Sequence, residues 1–382
     1  MRDYEGKSPY NSDFWCSLMT DPIKNRKDEH IYISMEKDIE STTSTWLECV
    51  KLIHKALPEI NLSDIDISTF FLGKKLHAPI MISAMTGGTA LGKKINRNLA
   101  LAAQENNIAM MVGSQRVALE HPETIDTFSV TRKNAPDIIL IANIGAPQIS
   151  RLRNLRKLDA LVSMIEADAL AIHLNPLQEA VQPEGETDYA GVLEKITELK
   201  EYLKIPIVVK ETGAGISKEI TRLLIKAGVD IIDVSGVGGT SWAAVEYYRA
   251  KSRGNNLREN IGKVFWNWGI PTAASIIEVR SEGRDQIRIV GSGGIRTGLD
   301  IAKAIVIGAD LGGLAKPFLK PAVRGKEFVN ELIRQIINEI KVSMFLTGSK
   351  TLDELRQADF IIFPPLKTWL ESRNIKFPWW FY

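Results

Sequence analysis

The chain has 382 residues, of which 45% are hydrophobic and 25% charged, values that are ordinary for a folded globular protein. Lys and Arg number 48 and Asp and Glu 46, so the formal net charge of +2 gives no reason to expect a nucleic acid or a membrane as partner. The two cysteines, Cys16 and Cys49, form no Cys-x-x-Cys pair, and no apolar run reaches the about 20 residues that a membrane-spanning helix needs. We therefore expect a cytoplasmic protein that acts on a small molecule.

The first 77 residues differ from the rest of the chain. Residues 1–18 are polar and mixed in character, which predicts a disordered leader outside the fold. Residues 19–77 are predicted to form an N-terminal arm and cap segment. Within it, the charged run from Arg26 to His30 (RKDEH) has two interpretations. It can be a solvated, mobile face, which charge alone favours, or an arm that folds over a binding site and supplies cations to an anionic substrate.

A regular rhythm of apolar runs and amphipathic stretches begins at Ala78. The runs are continuous rather than alternating, as in parallel strands that are buried on both faces. They are Ala78–Ser83, Ile108–Gly113, Ile138–Asn143, Ala169–Leu174, Pro206–Lys210, Val229–Ser235, Ile287–Gly291 and Ala309–Leu314. Eight strand-plus-helix units, mostly about 25–35 residues apart, predict a (β/α)8 TIM barrel over residues 78–345. Residues 346–382 are then a C-terminal helical extension with an aromatic tail.

The alternative architecture is a doubly wound open sheet. Such a sheet usually carries a Gly-x-Gly-x-x-Gly turn after its first strand. The first run here ends in the sequence SAMTGG at residues 83–88, which does not match that turn. The barrel is therefore favoured, and its active site is expected just after the carboxyl ends of the strands.

Three of these strand ends carry polar or small residues with two interpretations each. The segment Met85–Gly88 can admit a flat ligand close to the backbone or be a plain turn. Arg116, in the sequence SQR at 114–116, can clamp a phosphate or pair with Glu120. Asn143 can bind the edge of a heterocycle or cap a turn. Each pattern is weak by itself.

The fourth strand ends in the densest polar cluster of the chain, HLNPLQE at residues 173–179. His173 and Asn175 are two residues apart and would face the same side of a strand. Glu179 can hold Mg²⁺ together with substrate phosphates, because Mg²⁺ is usually bound by one or two carboxylates and a phosphate. A single histidine would more simply be a core residue, but the clustering favours a functional site.

The fifth strand places Lys210 at the barrel mouth, where it can stabilise negative charge on a ligand or pair with Glu211. After the seventh and eighth strands lie the glycine-rich segments GSGGIR (291–296) and GGLAK (312–316). Glycine-rich loops at these positions, next to helix N-termini, form the recurrent phosphate site of barrels. These patterns together predict a barrel enzyme that binds a flat phosphorylated cofactor and a second anionic ligand with Mg²⁺. They do not indicate a reaction.

In combination, nine motifs resemble the type 2 isopentenyl-diphosphate delta-isomerases, FMN-dependent barrel enzymes, in their archaeal-like form. The resemblance runs from residue 25 to about residue 348. The motifs are NRKDEH (25–30), AMTGG (84–88), VGSQR (112–116), NIGA (143–146), HLNPLQE with PEG (173–185), KE (210–211), SGVGGTSW (235–242), WGIPT (268–272) and GSGGIR (291–296). Two features depart from it: residues 1–18 have no counterpart, and Lys316 stands beside the small residues expected after the eighth strand.

The resemblance implies a role for each matching residue. FMN would be bound by Ala84, Met85, Thr86, Ser114, Asn143, Lys210, Ser235, Thr240, Gly293, Gly294, Ile295, Leu314 and Ala315. The diphosphate substrate would be bound by Arg26, Lys27, Ser114, Gln115, Arg116, His173, Asn175 and Gln178. Glu179 would bind Mg²⁺. The catalytic group would comprise Gln178, Lys210, Glu246 and His173.

The implied reaction moves a double bond between isopentenyl and dimethylallyl diphosphate, a step of isoprenoid biosynthesis. It requires reduced FMN, with NADPH or another reductant, although it involves no net redox change. Flavin N5 would carry a proton, Lys210 would stabilise charge near flavin N1, and Gln178 and Glu246 would relay protons. A homo-oligomer, tetramer or octamer, is expected, with the aromatic tail from Phe377 to Tyr382 at an interface. The alternative is an FMN-dependent oxidoreductase of the 2-hydroxy-acid oxidase type, which places a His and an Arg after its sixth strand.

Overall fold

The computed structural model describes residues 22–377 and contains a closed barrel of eight parallel strands. The strands are β1 (Val50–Leu52), β2 (Thr69–Phe71), β3 (Lys74–Leu76), β4 (Ile80–Ile82), β5 (Ala109–Met111), β6 (Leu140–Gly145), β7 (Ala169–His173), β8 (Ile207–Lys210), β9 (Ile231–Asp233), β10 (Arg288–Ser292), β11 (Leu311–Leu314) and β12 (Phe360–Ile362). Strands β4 to β11 form the barrel, which closes where β11 pairs with β4. Each apolar run predicted from the sequence overlaps one barrel strand, so the prediction of a (β/α)8 barrel is confirmed.

Helices surround the barrel and extend it at both ends of the described chain. They are α1 (Pro22–Glu36), α2 (Ala90–Asn106), α3 (Arg116–Glu120), α4 (Asp126–Asn134), α5 (Ala146–Ser150), α6 (Arg156–Met164), α7 (Pro176–Val181), α8 (Val192–Tyr202), α9 (Lys218–Lys226), α10 (Trp242–Ser252), α11 (Asn256–Val264), α12 (Thr272–Gly283), α13 (Gly298–Val306), α14 (Lys316–Arg324), α15 (Lys326–Thr347), α16 (Leu352–Arg356) and α17 (Leu366–Ser372). The long gap before the seventh barrel strand holds α10, α11 and α12.

Local sequence explains where several of these helices begin. The Thr89 hydroxyl accepts a hydrogen bond from Gly92 N at the start of α2, and the Ser217 hydroxyl does the same from Ile220 N at the start of α9. Thr297 and Asp300 form a reciprocal capping box at the start of α13. Such side chains satisfy backbone N–H groups that have no partner within the helix.

The core has two layers. Alternate strand residues point into the barrel and pack against one another, among them Met81, Met111, Ile141 and Val208. The hairpin of β2 and β3 adds Phe71 and Leu76 to this inner cluster, so it packs against the barrel interior. The remaining strand residues pack outward against the helices in a larger cluster. With its interior filled by side chains, the barrel leaves binding to the loops at its carboxyl end.

The segments that precede and follow the barrel in the described chain are paired with each other. Strand β1 pairs antiparallel with β12, which ties the N-terminal segment to the C-terminal extension. The leader expected at residues 1–18 lies outside the described residues, as do residues 378–382 of the aromatic tail. The domain boundaries given above stay predictions.

Candidate active site

A cavity of about 240 Å³ opens at the carboxyl ends of the barrel strands. It is lined by residues that follow all eight strands and by residues of α1. Among the described residues that line it, six are Lys or Arg and two are Asp or Glu. The cations are Arg26, Lys27, Arg116, Lys210, Arg296 and Lys316, and the carboxylates are Glu179 and Asp233. This excess of positive charge suits an anionic ligand.

The structure brings together most of the site residues predicted from the sequence. Those that line the cavity are Arg26, Lys27, Ala84, Met85, Thr86, Ser114, Arg116, Asn143, His173, Asn175, Gln178, Glu179, Lys210, Ser235, Thr240, Gly293, Gly294, Ile295, Leu314 and Ala315. Glu246 lies behind this lining. Gln115 is also outside it, because its side chain turns into the core, where Nε2 donates to the Leu161 carbonyl and Oε1 accepts from Asn143 N. The Gln115 side chain is thus turned away from the cavity, and its role in substrate binding stays a prediction.

The glycine-rich loop after β10 forms a cradle of backbone groups. Gly293 and Gly294 have φ angles of 94° and 74°. A Cβ atom at Gly294 would lie 2.3 Å from the Gly238 carbonyl oxygen, so only glycine fits there. In the described chain, the N–H groups of Gly294 and Ile295 donate to no protein atom. They remain available for a phosphate.

The N-terminus of the helix after this loop contributes less to the phosphate site than the sequence suggests. At the start of α13, Thr297 N donates to Asp300 and Gly298 N donates to Glu339, so that helix end is already capped. Helix α14, after β11, begins at Lys316 with no side-chain cap and no acidic residue in its first turn. The helix dipole available to an anion is therefore that of α14.

Some polar side chains in the cavity wall lack partners. Ser83 Oγ, Thr86 Oγ1 and Asp233 Oδ2 are buried and form no hydrogen bond within the described chain. A buried polar atom without a partner is costly, so these three groups point to a ligand that would satisfy them.

Lys210 and Asp233 face each other at the ends of β8 and β9, as register partners in the barrel. Burial lowers the pKa of Lys210, and the carboxylates of Asp233 and Glu211 act in the opposite direction. The Lys210 ammonium donates to the Glu211 backbone oxygen at 2.5 Å, whereas the Glu211 carboxylate accepts from Thr212 N and Gly213 N. Lys210 therefore does not form the side-chain ion pair with Glu211 that was the alternative interpretation.

His173 is held in one orientation by Asn143. Asn143 Nδ2 donates to the Val112 carbonyl, which turns Oδ1 toward His173 Nδ1 at 2.9 Å. Nδ1 therefore carries the proton, which leaves Nε2 as the acceptor nitrogen of the neutral ring. Burial, together with the charges of Lys210 and Lys27, lowers the pKa of His173 to about 3. The imidazole is neutral near pH 7 and can accept a hydrogen bond.

The cluster after β7 is connected internally. Asn175 Nδ2 donates to Gln178 Oε1 at 3.2 Å and to Glu179 Oε1 at 2.9 Å. Glu179 Oε2 accepts from Gln182 Nε2 and from Glu186 N, each at 2.7 Å. The Glu179 carboxylate is thus fixed in position at the cavity edge.

A chain of polar groups runs behind the cavity wall and connects Gln178 with His30, both of which line the cavity. Gln178 Nε2 lies 3.5 Å from Glu246 Oε1, which also accepts from His30 Nε2 at 3.0 Å. Glu246 Oε2 accepts from Arg249 at 2.6 Å. Burial would raise the pKa of Glu246, but the hydrogen bond from His30 and the charge of Arg249 lower it to about 2. Glu246 is therefore an ionised carboxylate that joins Gln178 to the N-terminal helix.

The charged run at residues 26–30 is packed against the site and is not a solvated face. Asp28 is buried, and the Lys27 ammonium lies 3.5 Å from the Ser114 carbonyl oxygen. Burial, assisted by the charges of Arg26 and Arg116, lowers the pKa of Lys27 to about 7. Of the two interpretations of this run, the arm over the barrel mouth is the one observed.

Arg116 forms the ion pair that was the alternative to phosphate binding. Its Nε contacts Glu120 at 2.9 Å, and its two terminal nitrogens contact Glu186 at 3.0 and 3.1 Å. The guanidinium still lines the cavity, so an anionic substrate would share it with these carboxylates.

Sequence analysis missed several residues of the site. Asp233 ends a barrel strand directly beside Lys210, a signal that strand alignment could have revealed. Arg249 carried no signal, because two of its three carboxylate partners, Glu29 and Glu184, are far from it in sequence. Among the described residues, no group of three or more His, Cys, Asp or Glu side chains forms a metal site. No helix between residues 22 and 377 is long and apolar enough to span a membrane.

Comparison with solved structures shows the fold. A mandelate oxidase variant matches with a TM-score of 0.59 and 15% identity, covering 93% of this chain and 97% of that one. A flavocytochrome b2 variant matches with a TM-score of 0.62 and 19% identity, covering 92% and 86%. The family model described as FMN-dependent dehydrogenase matches residues 177–361.

Sequence relatives are much closer. Proteins named isopentenyl-diphosphate delta-isomerase include one from Sulfurisphaera tokodaii, 48% identical over 92% of this chain and 95% of its own length. Another, from Pyrobaculum islandicum, is 49% identical over 92% of this chain and 99% of its own length. A third, from Rickettsia bellii, is 49% identical over 87% and 96%. With this identity along almost the full length, and with the motifs gathered around one barrel cavity, the chain belongs to the type 2 isopentenyl-diphosphate delta-isomerase family.

Proposed function

We propose that this chain interconverts isopentenyl diphosphate and dimethylallyl diphosphate with reduced FMN as cofactor. The observation that carries the proposal is the composition of the cavity at the barrel mouth. It combines a glycine cradle for a phosphate, an excess of cations for a second anion, and a polar chain from Gln178 through Glu246 to His30. The names of the relatives support the same reaction.

The residues present fit a flavin phosphate. The backbone of Gly293 and the unpaired N–H groups of Gly294 and Ile295 would hold the phosphate, together with the uncapped start of α14. Ser83 Oγ and Thr86 Oγ1, buried without partners, would hydrogen-bond to the same cofactor. Bound in its reduced form, the flavin would supply an electron-rich ring that exchanges a proton without net redox change.

The chain's own residues would then bind, orient and move protons. Arg26, Lys27 and Arg116 would hold the diphosphate, and Lys210 would stabilise negative charge on the bound cofactor. The neutral His173 would accept a hydrogen bond at Nε2. Gln178 and Glu246 are the side chains that would relay protons, and the ionised Glu246 carboxylate would orient the Gln178 amide by accepting its hydrogen bond.

Mg²⁺ and a reductant belong to the proposal as well. Glu179 would hold Mg²⁺ as its single protein carboxylate, with substrate phosphates and water completing the coordination, a common arrangement for this ion. The three hydrogen bonds that Glu179 accepts fix its orientation for that purpose. NADPH, or another reductant, would reduce the flavin. We also propose that the chain assembles as a homo-oligomer, a tetramer or octamer.

The alternative function, an oxidoreductase of the 2-hydroxy-acid oxidase type, has less support. That type of enzyme places a His and an Arg after the sixth barrel strand, to abstract a proton and to bind a carboxylate. The segment after β9 reads SGVGGTSW at residues 235–242 and contains neither residue. The structural matches to mandelate oxidase and to flavocytochrome b2 are each below 20% identity and concern the fold alone.

The test is an anaerobic incubation of the purified protein with FMN, a chemical reductant, Mg²⁺ and isopentenyl diphosphate. The expected result is dimethylallyl diphosphate that forms only when the flavin is reduced. Oxidised FMN and omission of Mg²⁺ are the controls. Bound flavin without product, under reducing conditions, would contradict the isomerase proposal while leaving the cofactor site in place.

A further inference from the structure

A carboxylate from the N-terminal segment bridges two cations at the phosphate cradle. Glu40 Oε1 accepts from Lys316 Nζ at 2.6 Å, and Glu40 Oε2 lies 2.9 Å from a terminal nitrogen of Arg296. Arg296 follows the glycine cradle after β10, whereas Lys316 is the first residue of α14, after β11. We call these three residues the Glu40 bridge.

The bridge lies at the cofactor end of the cavity. Arg296 and Lys316 both line the cavity, and they directly follow Ile295 and Ala315 of the cradle. Lys316 stands at the positive end of a helix that has no cap, a position that disfavours a cation unless an anion is near. Two cations and a helix end thus face one carboxylate, which leaves positive charge for a phosphate dianion.

Glu40 is held there by its backbone. Ser41 N donates to the Gly239 carbonyl at 2.7 Å, and Ser241 N donates to the Ile39 carbonyl at 2.8 Å. The Trp266 indole donates to the Glu40 carbonyl at 3.0 Å. Because the segment is tied on both sides, the carboxylate stays close to the cradle when a phosphate is present, and the two negative groups repel each other.

We propose that Lys316 is a phosphate-binding residue that makes this site favour phosphorylated over unphosphorylated flavin, and that Glu40 limits this preference by competing for Lys316 and Arg296. The inference rests on the proposed use of FMN. Lys316 is the residue at which this chain departs from the small residues expected after the eighth strand, so the effect is a property of this chain's own sequence.

The experiment compares FMN with riboflavin, which lacks the phosphate. Flavin-free protein is titrated with each, and binding is followed by the quenching of flavin fluorescence. Lys316→Ala is expected to weaken FMN binding about fivefold, a modest factor because the ammonium is partly exposed, and to leave riboflavin binding unchanged. Glu40→Gln is expected to tighten FMN binding by about threefold, again with no change for riboflavin.

Two control variants accompany these measurements. Lys316→Arg keeps the charge and is expected to retain most of the affinity for FMN. Lys326→Ala removes an ammonium of α15 that pairs with Glu105. Because no residue of α15 lines the cavity, this variant is expected to change neither the FMN affinity nor the riboflavin affinity.

Each result decides a separate point. An FMN-to-riboflavin affinity ratio that is unchanged in Lys316→Ala would overturn the role of Lys316 and leave the flavin site standing. Weaker FMN binding by Glu40→Gln would overturn the proposal that Glu40 competes with the phosphate for Lys316 and Arg296. Failure of the unmodified protein to bind either flavin would overturn both this inference and the proposed cofactor.

Discussion

At the scale of single residues, burial decides the charge states in the cavity. His173 is neutral because desolvation and two neighbouring ammonium groups lower its pKa to about 3. Burial also lowers the pKa of His30, whereas its partner Glu246 stays ionised. Near pH 7 these histidines therefore orient and accept or donate hydrogen bonds, and the positive charge comes from Lys and Arg.

Lys27 gives the site a predicted pH dependence. Its pKa of about 7 means that its charge is present below pH 7 and lost above it. A bound diphosphate favours the charged amine, so the KM for isopentenyl diphosphate is expected to rise as pH increases from 7 to 9. Steady-state kinetics at several pH values checks this.

Lys27→Arg is the matched control, because arginine stays charged throughout this range. It also reports any titration of the substrate itself. A KM that rises equally in Lys27→Arg and in the unmodified protein would contradict the assignment to Lys27.

Gln178 and Glu246 are predicted to act in the same proton path. Because Gln178 Nε2 contacts Glu246 Oε1, Gln178→Ala and Glu246→Gln are each expected to lower kcat by about 100-fold, the usual scale of general acid–base catalysis. Flavin absorbance of the loaded protein should be unchanged. Full turnover of reduced, FMN-loaded Gln178→Ala would contradict the role of Gln178 in proton transfer. Full turnover of Lys210→Ala would contradict the role of Lys210 in stabilising negative charge on the cofactor.

At the scale of elements, one arginine fastens the N-terminal helix to the barrel. The Arg249 side chain on α10 is fully buried and contacts Glu246, Glu29 of α1 and Glu184 after α7. Glu29 also contacts Arg253 at 2.9 Å. These contacts hold α1 where its residues Arg26 and Lys27 reach the cavity, so the arm depends on a buried ionic network.

Replacement of Arg249 is therefore predicted to affect stability and the arm together. Arg249→Met leaves the buried Glu246 with less compensation and is expected to cost about 3 kcal/mol of unfolding free energy, measured by urea denaturation. Arg222→Met is the matched control, because Arg222 pairs with Glu282 at the surface, and its expected cost is below about 1 kcal/mol. An equal loss of unfolding free energy in the two variants would contradict the stabilising role of the ionic network around Arg249.

At the scale of the whole molecule, the C-terminal extension packs against the barrel. Ile375 is buried, and the Phe377 ring lies 5.7 Å from that of Phe360 in β12. Strand β12 in turn pairs with β1. The extension thus packs against its own chain up to Phe377. The contribution of these residues to subunit stability can therefore be measured separately from the contribution of residues 378–382 to assembly.

The proposed assembly role of the aromatic tail can be tested by two truncations. A chain that ends at Phe377 is expected to keep the thermal unfolding midpoint of its subunit and to lose assembly mass, measured by light scattering. A chain that ends at Asn374 also loses Ile375 and is expected to be less stable. An unchanged assembly mass for both chains would contradict the role of the tail.

The barrel could be predicted from sequence because its signal is local. Each strand is a short continuous apolar run, and each is followed by a helix whose apolar face repeats along a few turns. The order of strands and helices then places every strand end on one rim, so the cavity residues after β4 to β11 follow from chain order alone. The motifs also sufficed to indicate the family.

What the sequence could not determine depends on contacts between residues that are far apart in the chain. Gln115 and Ser114 are neighbours, yet packing against Leu161 turns Gln115 into the core. The arm at residues 26–30 lies over the cavity because Glu29 meets Arg249, about 220 positions later. Periodicity reports which face of an element is buried, but only the tertiary structure determines which distant partner covers it, because that choice is made by shape and charge across the assembled fold.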